Sequence, residues 1–145
     1  MKKDVIISIR GMQNYDGSEP DAIELVTQGT LSDHPDGYLI SYEESELTGL
    51  EGTQTQLEIG PERVTLLRLG QLCSQMVFEK GRTHRSLYDT PFGSMEIGIS
   101  TRRLRSTMGE RGGELEIAYS VEVNHSLAGE NLFQINVREV GGLAQ

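Results

Sequence analysis

Polar and apolar residues alternate along most of this 145-residue chain, and this period-two pattern is the feature that most constrains its fold. The segment 53–59 places Thr, Leu and Ile at every second position, with Gln and Glu between them. The segment 115–123 repeats that arrangement. Successive side chains of a β-strand point to opposite faces, so each segment is typical of a strand with one buried and one wet face. The pattern predicts an all-β protein.

Turn signals separate the alternating segments and divide the chain into about ten short strands. Glycine supplies the positive φ that tight turns need, and proline fixes φ at the first turn position. Short strands joined by such turns favour an antiparallel meander. A flat sheet of this size would leave two long edges unpaired, so we expect a closed β-barrel of about eight to ten strands. The main signals are Asp16-Gly17, Pro35-Asp36-Gly37, Lys80-Gly81, the segment 90–93 and Ala128-Gly129.

Length and motif content predict one domain, residues 1–145, without a cofactor or a catalytic site. The single cysteine, Cys73, excludes an internal disulfide framework and every CxxC metal site. The three histidines are too widely spaced for a zinc motif, and no phosphate-binding glycine motif is present. Cys73, His84 and Asp89 have the residue types of a cysteine nucleophile set, but a lone cysteine is usually a buried, inert residue.

Charge is unevenly distributed along the chain. The net charge of −9 argues against a nucleic acid as partner. Residues 1–62 carry a net charge of −10, residues 63–111 carry +5 and residues 112–145 carry −4. Consecutive strands of a meander are neighbours, so residues 63–111 should form one basic sector. Two interpretations stay open: the sector pairs with acidic residues of the same chain, or it binds an anion or an acidic partner surface, such as a second copy in a homodimer.

The first residues predict a cytoplasmic protein. Lys2-Lys3 precedes the apolar run Val5-Ile6-Ile7, which is too short for a secretory signal. No segment reaches the length of about 18 apolar residues that a membrane helix needs. With an unpaired cysteine as well, we expect a reducing compartment and no membrane association.

Arg68 is the first candidate ligand-binding residue, because it shares strand phase with Val64 and Leu66 and should point inward. A guanidinium inside a barrel needs a carboxylate, several acceptors or a bound anion. One interpretation pairs Arg68 with Glu44 and gives it a purely structural role. The other assigns it to a small anionic or carboxylate-bearing ligand, with further contacts from hydroxyl groups and from two residues at the mouth. These further candidates are Tyr42, Thr53 and Thr55, and at the mouth His84 and Tyr88.

Several motifs together resemble the YwiB-like family of small bacterial proteins. They are Tyr38-x-Ile40-x-Tyr42-x-Glu44, Met76-x-Phe78-x-x-Gly81, Tyr88-x-Thr90-Pro91-x-Gly93 and Gly113-x-Leu115-x-Ile117-x-Tyr119. The resemblance implies a lipocalin-like, calycin-type β-barrel, and it carries no established activity or catalytic residues. We therefore expect a non-catalytic barrel that binds a small ligand. The alternative is a protein-interaction or oligomerisation module that uses the basic sector of residues 63–111.

Overall fold

The computed structural model describes residues 2–14, 21–44, 52–70, 74–91 and 93–140. These residues form ten β-strands and contain no helix that could span a membrane. The predictions for Asp16-Gly17 and Cys73 lie outside the described residues. The strands are β1 (Lys2–Asn14), β2 (Asp21–His34), β3 (Gly37–Glu43), β4 (Gln54–Ile59), β5 (Arg63–Leu69), β6 (Ser74–Glu79), β7 (Thr83–Thr90), β8 (Gly93–Ser106), β9 (Gly112–Val123) and β10 (Ser126–Glu139).

All ten strands belong to one antiparallel sheet, in the order β6-β5-β4-β3-β2-β1-β10-β9-β8-β7. The first and last strands pair with each other, from Val5 opposite Glu139 to Asn14 opposite Glu130. The meander is therefore a nearly closed barrel. The expected full closure is not present among the described strands, because β6 and β7 are joined by a turn but share no ladder of backbone hydrogen bonds.

The strands differ in length, and this difference creates an overhang at one end of the barrel. Strands β1, β2, β8, β9 and β10 have 12 to 14 residues, whereas β3 to β7 have six to eight. Strand β2 pairs with β3 only from Gly29 to His34. Residues 21–28 of β2 and their partners on β1 therefore extend past the end of β3, and we call this part the overhang.

The core follows the alternation that the sequence predicts. In β4, the inward residues Thr55, Leu57 and Ile59 are buried and the residues between them are partly exposed. The burial of fifteen branched and aromatic side chains in the described core supplies the main driving force for folding. The fully buried apolar side chains include Val5, Ile7, Leu31, Ile40, Leu57, Val64, Phe78, Leu115, Ile117 and Ile135.

The turn between β9 and β10 lies at Asn124 and His125, whereas the sequence placed the break at Ala128-Gly129. Both turn residues have positive φ values, 50° and 69°, which non-glycine residues seldom adopt. The Asn124 side chain contributes to this conformation, because its Oδ1 accepts a hydrogen bond of 3.0 Å from the Glu96 backbone N–H. The break at Ala128-Gly129 is instead a β-bulge within β10, between Leu127 and Gly129.

Candidate functional site

Three of the candidate residues lie side by side on neighbouring strands. Tyr42 of β3 is opposite Thr55 of β4, and Thr55 is opposite Arg68 of β5. Tyr42 is 5% exposed and Thr55 is fully buried, which places this row on the inner face of the barrel. We call it the first polar row. The strand phase predicted this placement, and the ligand-binding role of the three residues stays a prediction.

Glu44 follows β3 directly and lies beside the first polar row. It is only 7% exposed. The Thr55 hydroxyl donates a hydrogen bond of 2.7 Å to Glu44 Oε1. Burial raises the pKa of the Tyr42 hydroxyl, and the negative charge of Glu44 raises it further. The positive charge of Arg68 lowers the Tyr42 pKa, which shows that the guanidinium lies close enough to act on this group. Tyr42 therefore stays protonated at neutral pH.

Arg68 does not form the ion pair with Glu44 that one interpretation of the sequence predicted. Within the described part of the chain, no carboxylate lies within 4.0 Å of its guanidinium nitrogens. Its Nε atom is buried and has no hydrogen-bond acceptor there. An unpartnered buried donor on a charged group costs more than an unpartnered neutral one. Among the described residues, the first polar row thus holds a guanidinium with one buried donor that lacks an acceptor.

A cavity of about 380 Å³ lies beside Arg68, between the short strands and the overhang. Most of its wall is apolar. Phe78 of β6 packs on Tyr119 of β9 with ring centroids 4.8 Å apart, which joins the two sides of the wall. Ile23 is 59% exposed and lies at the rim. The cavity is lined by Ile9, Gly11, Met12, Gln13, Ile23, Leu25, Tyr42, Glu44, Leu66, Arg68, Met76, Phe78, Tyr119, Asn131, Leu132 and Phe133.

The other three candidate residues do not join the cavity lining. The Thr53 carbonyl oxygen accepts a hydrogen bond of 2.8 Å from the Glu44 N–H, so Thr53 supports the site through its backbone. The Tyr88 side chain lies outside the described part of the chain. His84 is near the start of β7, whereas Arg68 is near the end of β5. Because β5 and β7 run in the same direction, the two residues lie toward opposite ends of the barrel, and His84 is not at the mouth.

His84 belongs to an ion cluster around Glu79 at the end of β6. His84 Nε2 lies 2.9 Å from Glu79 Oε1, and Arg63 Nη2 donates a hydrogen bond of 3.2 Å to the same oxygen. Arg82 Nε lies 3.7 Å from the other carboxylate oxygen. The hydrogen bond with His84 is the main cause that lowers the pKa of Glu79, and the arginines act in the same direction. These contacts give His84 a structural role.

Asn131 is the lining residue that the sequence analysis missed. It lies on β10 in phase with Phe133, Ile135 and Val137. Its Oδ1 atom is buried and has no hydrogen-bond partner among the residues that the structure describes. A polar residue in the inward phase of an otherwise apolar strand was the available signal. Arg68 was identified by that same signal on β5, where it follows Val64 and Leu66.

Comparison with known proteins agrees with this architecture. The chain is 28% identical over 105 residues to the uncharacterized β-barrel protein YwiB of Bacillus subtilis (strain 168), covering 72% of this chain and 70% of that protein. The crystal structure of YwiB from Bacillus subtilis has the same fold, with a TM-score of 0.82 and 21% identity over 96% of this chain and 93% of that one. The family described as a domain of unknown function, DUF1934, matches residues 7–135. The chain therefore belongs to the DUF1934 family.

Proposed function

We propose that this protein is a non-catalytic barrel that binds a small carboxylate-bearing molecule in the cavity beside Arg68. The observation that carries the proposal is the guanidinium of Arg68, which lines this cavity without a carboxylate partner among the described residues. The buried Nε donor of Arg68 has no acceptor among the described residues, which is unfavourable, and a bound carboxylate would supply one. The planar guanidinium also matches a carboxylate in geometry, because it can donate two parallel hydrogen bonds.

The size and composition of the cavity support the same proposal. Ligand sites commonly have volumes of about 300–1,000 Å³ and apolar walls with a few polar groups, and the cavity of about 380 Å³ falls at the lower end of that range. We further propose that the resemblance to lipocalin-like barrels extends to function, since a small barrel can hold one small ligand in its interior.

Calorimetric titration with 3-phenylpropanoate, which joins one carboxylate to an apolar ring, tests the proposal. We expect saturable binding to the native protein and a loss of about tenfold or more in the Arg68→Met variant, because a hydrogen bond to a charged group contributes about 1.5–3 kcal/mol. Arg102→Met is the matched control, since Arg102 is exposed and lies 3.5 Å from Glu130. Thermal unfolding checks that both variants are folded. Equal affinity of native protein and Arg68→Met, or no binding to the native protein, contradicts the proposal.

The interaction module of residues 63–111 is the second candidate function, and it has less support. Arg85 lies 3.1 Å from Glu122 and 3.3 Å from Glu96, and Arg103 lies 2.9 Å from Glu116. In these ion pairs, arginines of the basic sector contact carboxylates of the same chain. Sedimentation at low and high salt tests a homodimer held by this sector, because such a dimer would dissociate as the salt concentration rises.

A further inference from the structure

We propose that the ligand carries a second polar group, a hydrogen-bond donor, which Asn131 recognises on the wall opposite Arg68. This inference rests on the proposed function and narrows the ligand to an acid with two polar ends: a hydroxy- or amino-substituted carboxylic acid with an apolar body. The carboxylate would contact Arg68, and the hydroxyl or amino group would contact Asn131.

A second row of polar residues crosses the long strands and forms the other side of the cavity. Gln13 of β1 is opposite Asn131 of β10, Asn131 is opposite Tyr119 of β9, and Tyr119 is opposite Thr101 of β8. We call this the second polar row. Gln13, Asn131 and Tyr119 line the cavity. Thr101 is the last residue of the row and is 3% exposed.

The buried polar side-chain atoms that lack a partner in the described part of the chain fall on these two rows. Within the described residues, three buried side-chain atoms have no hydrogen-bond partner: Arg68 Nε, Asn131 Oδ1 and Thr101 Oγ1. Arg68 lies on the first polar row, and the other two lie on the second. Arg68 Nε and Asn131 Oδ1 belong to residues that line the cavity, whereas Thr101 is not part of its lining. Folded proteins leave few buried polar groups unpaired, so two such atoms on opposite sides of one cavity indicate that an occupant supplies the missing partners.

The chemistry of these atoms defines the occupant. The Arg68 guanidinium can only donate hydrogen bonds, so it requires an acceptor such as a carboxylate. The Asn131 Oδ1 atom can only accept, so it requires an O–H or N–H donor. Phe78, Leu66 and Phe133 line the same cavity and would contact an apolar body. A molecule with one acidic end, an apolar centre and one donor end satisfies all three requirements.

A matched pair of ligands tests the role of Asn131. 3-(4-Hydroxyphenyl)propanoate and 3-phenylpropanoate differ only by one hydroxyl group, and calorimetry gives the affinity ratio of the pair for each protein. We expect the hydroxyl to increase affinity about three- to tenfold in the native protein, as one net hydrogen bond does. The ratio should fall to about one in Asn131→Leu. It should be unchanged in Asn136→Leu, since Asn136 is an exposed residue of the same strand that hydrogen-bonds to Glu114.

The possible outcomes separate this inference from the proposed function. If 3-phenylpropanoate binds in an Arg68-dependent manner but the hydroxyl adds nothing, the proposed function stands and the role of Asn131 is wrong. The role of Asn131 is also wrong if Asn131→Leu keeps the ratio of the native protein. If neither acid binds to the native protein, both proposals fail. Thermal unfolding confirms that each variant is folded, and the smaller substitution Asn131→Ala replaces Asn131→Leu if the latter is not.

Discussion

At the scale of single residues, strand phase accounts for most of the candidate site. Tyr42, Thr55 and Arg68 could be predicted because inward and outward positions alternate, and a polar residue in the inward phase stands out. The partners of Arg68 could not be predicted in this way. Whether Arg68 pairs with Glu44 depends on side-chain geometry, and in the structure Glu44 accepts a hydrogen bond from Thr55.

Two glycines on the inner face of the long strands should respond oppositely to the same substitution. A Cβ on Gly29 would overlap the Ser41 carbonyl oxygen and Ile7 Cδ1, whereas a Cβ on Gly11 would meet no atom of the described residues within 4 Å. We expect Gly29→Ala to lower the free energy of unfolding by about 1–3 kcal/mol, because overpacking strains a core. Gly11→Ala should leave it unchanged or raise it by up to about 1 kcal/mol, since alanine restricts the unfolded chain.

Urea unfolding of both variants measures this difference. The two substitutions add the same methyl group to neighbouring strands, so each is the control for the other. Equal destabilisation by Gly29→Ala and Gly11→Ala would show that the open space beside Gly11 is absent.

At the scale of strands and turns, alternation predicts where strands occur better than it predicts where they turn. The β9–β10 turn uses Asn124 and His125, neither of which is a glycine. A sequence rule based on glycine therefore selected Ala128-Gly129, which is the site of a bulge. The hydrogen bond from the Glu96 N–H to Asn124 Oδ1 favours the observed turn, and it depends on the neighbouring strand β8.

The positive φ of His125 predicts that glycine at this position would make the protein more stable. The left-handed conformation costs a non-glycine residue roughly 1 kcal/mol, and glycine avoids this cost. His125 also lies 3.2 Å from Glu96, but it is 68% exposed and such a pair contributes little. We expect His125→Gly to raise the free energy of unfolding by about 0.5–1 kcal/mol in a urea titration. A decrease of that size would mean that the contact with Glu96 outweighs the backbone strain.

At the scale of the whole molecule, the meander and the pairing of β1 with β10 follow from the number and spacing of strands. The open junction between β6 and β7 could not be predicted in this way. Alternation shows which residues of a strand face inward, but it does not show with which strands that strand pairs. The position of the cavity could not be predicted from the sequence either. It exists because the long strands overhang the short ones, and alternation does not fix the residue at which each strand ends. His84 was misplaced for a related reason, since its distance from Arg68 depends on strand direction.

The ion cluster at the junction of β6 and β7 should make stability depend on pH. His84, Arg63 and Arg82 lower the pKa of Glu79 in the folded protein, so ionised Glu79 stabilises the fold. This contribution is complete above the ordinary glutamate pKa of about 4.3 and is lost as the pH falls through the lower pKa of the folded state. We expect Glu79→Gln to lower the melting temperature at pH 7, with a difference that shrinks toward pH 3. A difference that is independent of pH would exclude this electrostatic role.

The central claim is that Arg68 holds a carboxylate in the cavity between the short strands and the overhang. A crystal structure of the protein grown with excess 3-(4-hydroxyphenyl)propanoate tests this claim most directly. The account predicts electron density for the acid in the cavity, with its carboxylate within hydrogen-bond distance of the Arg68 guanidinium. An empty cavity with Arg68 paired to Glu44, or with its guanidinium turned toward solvent, would contradict the account.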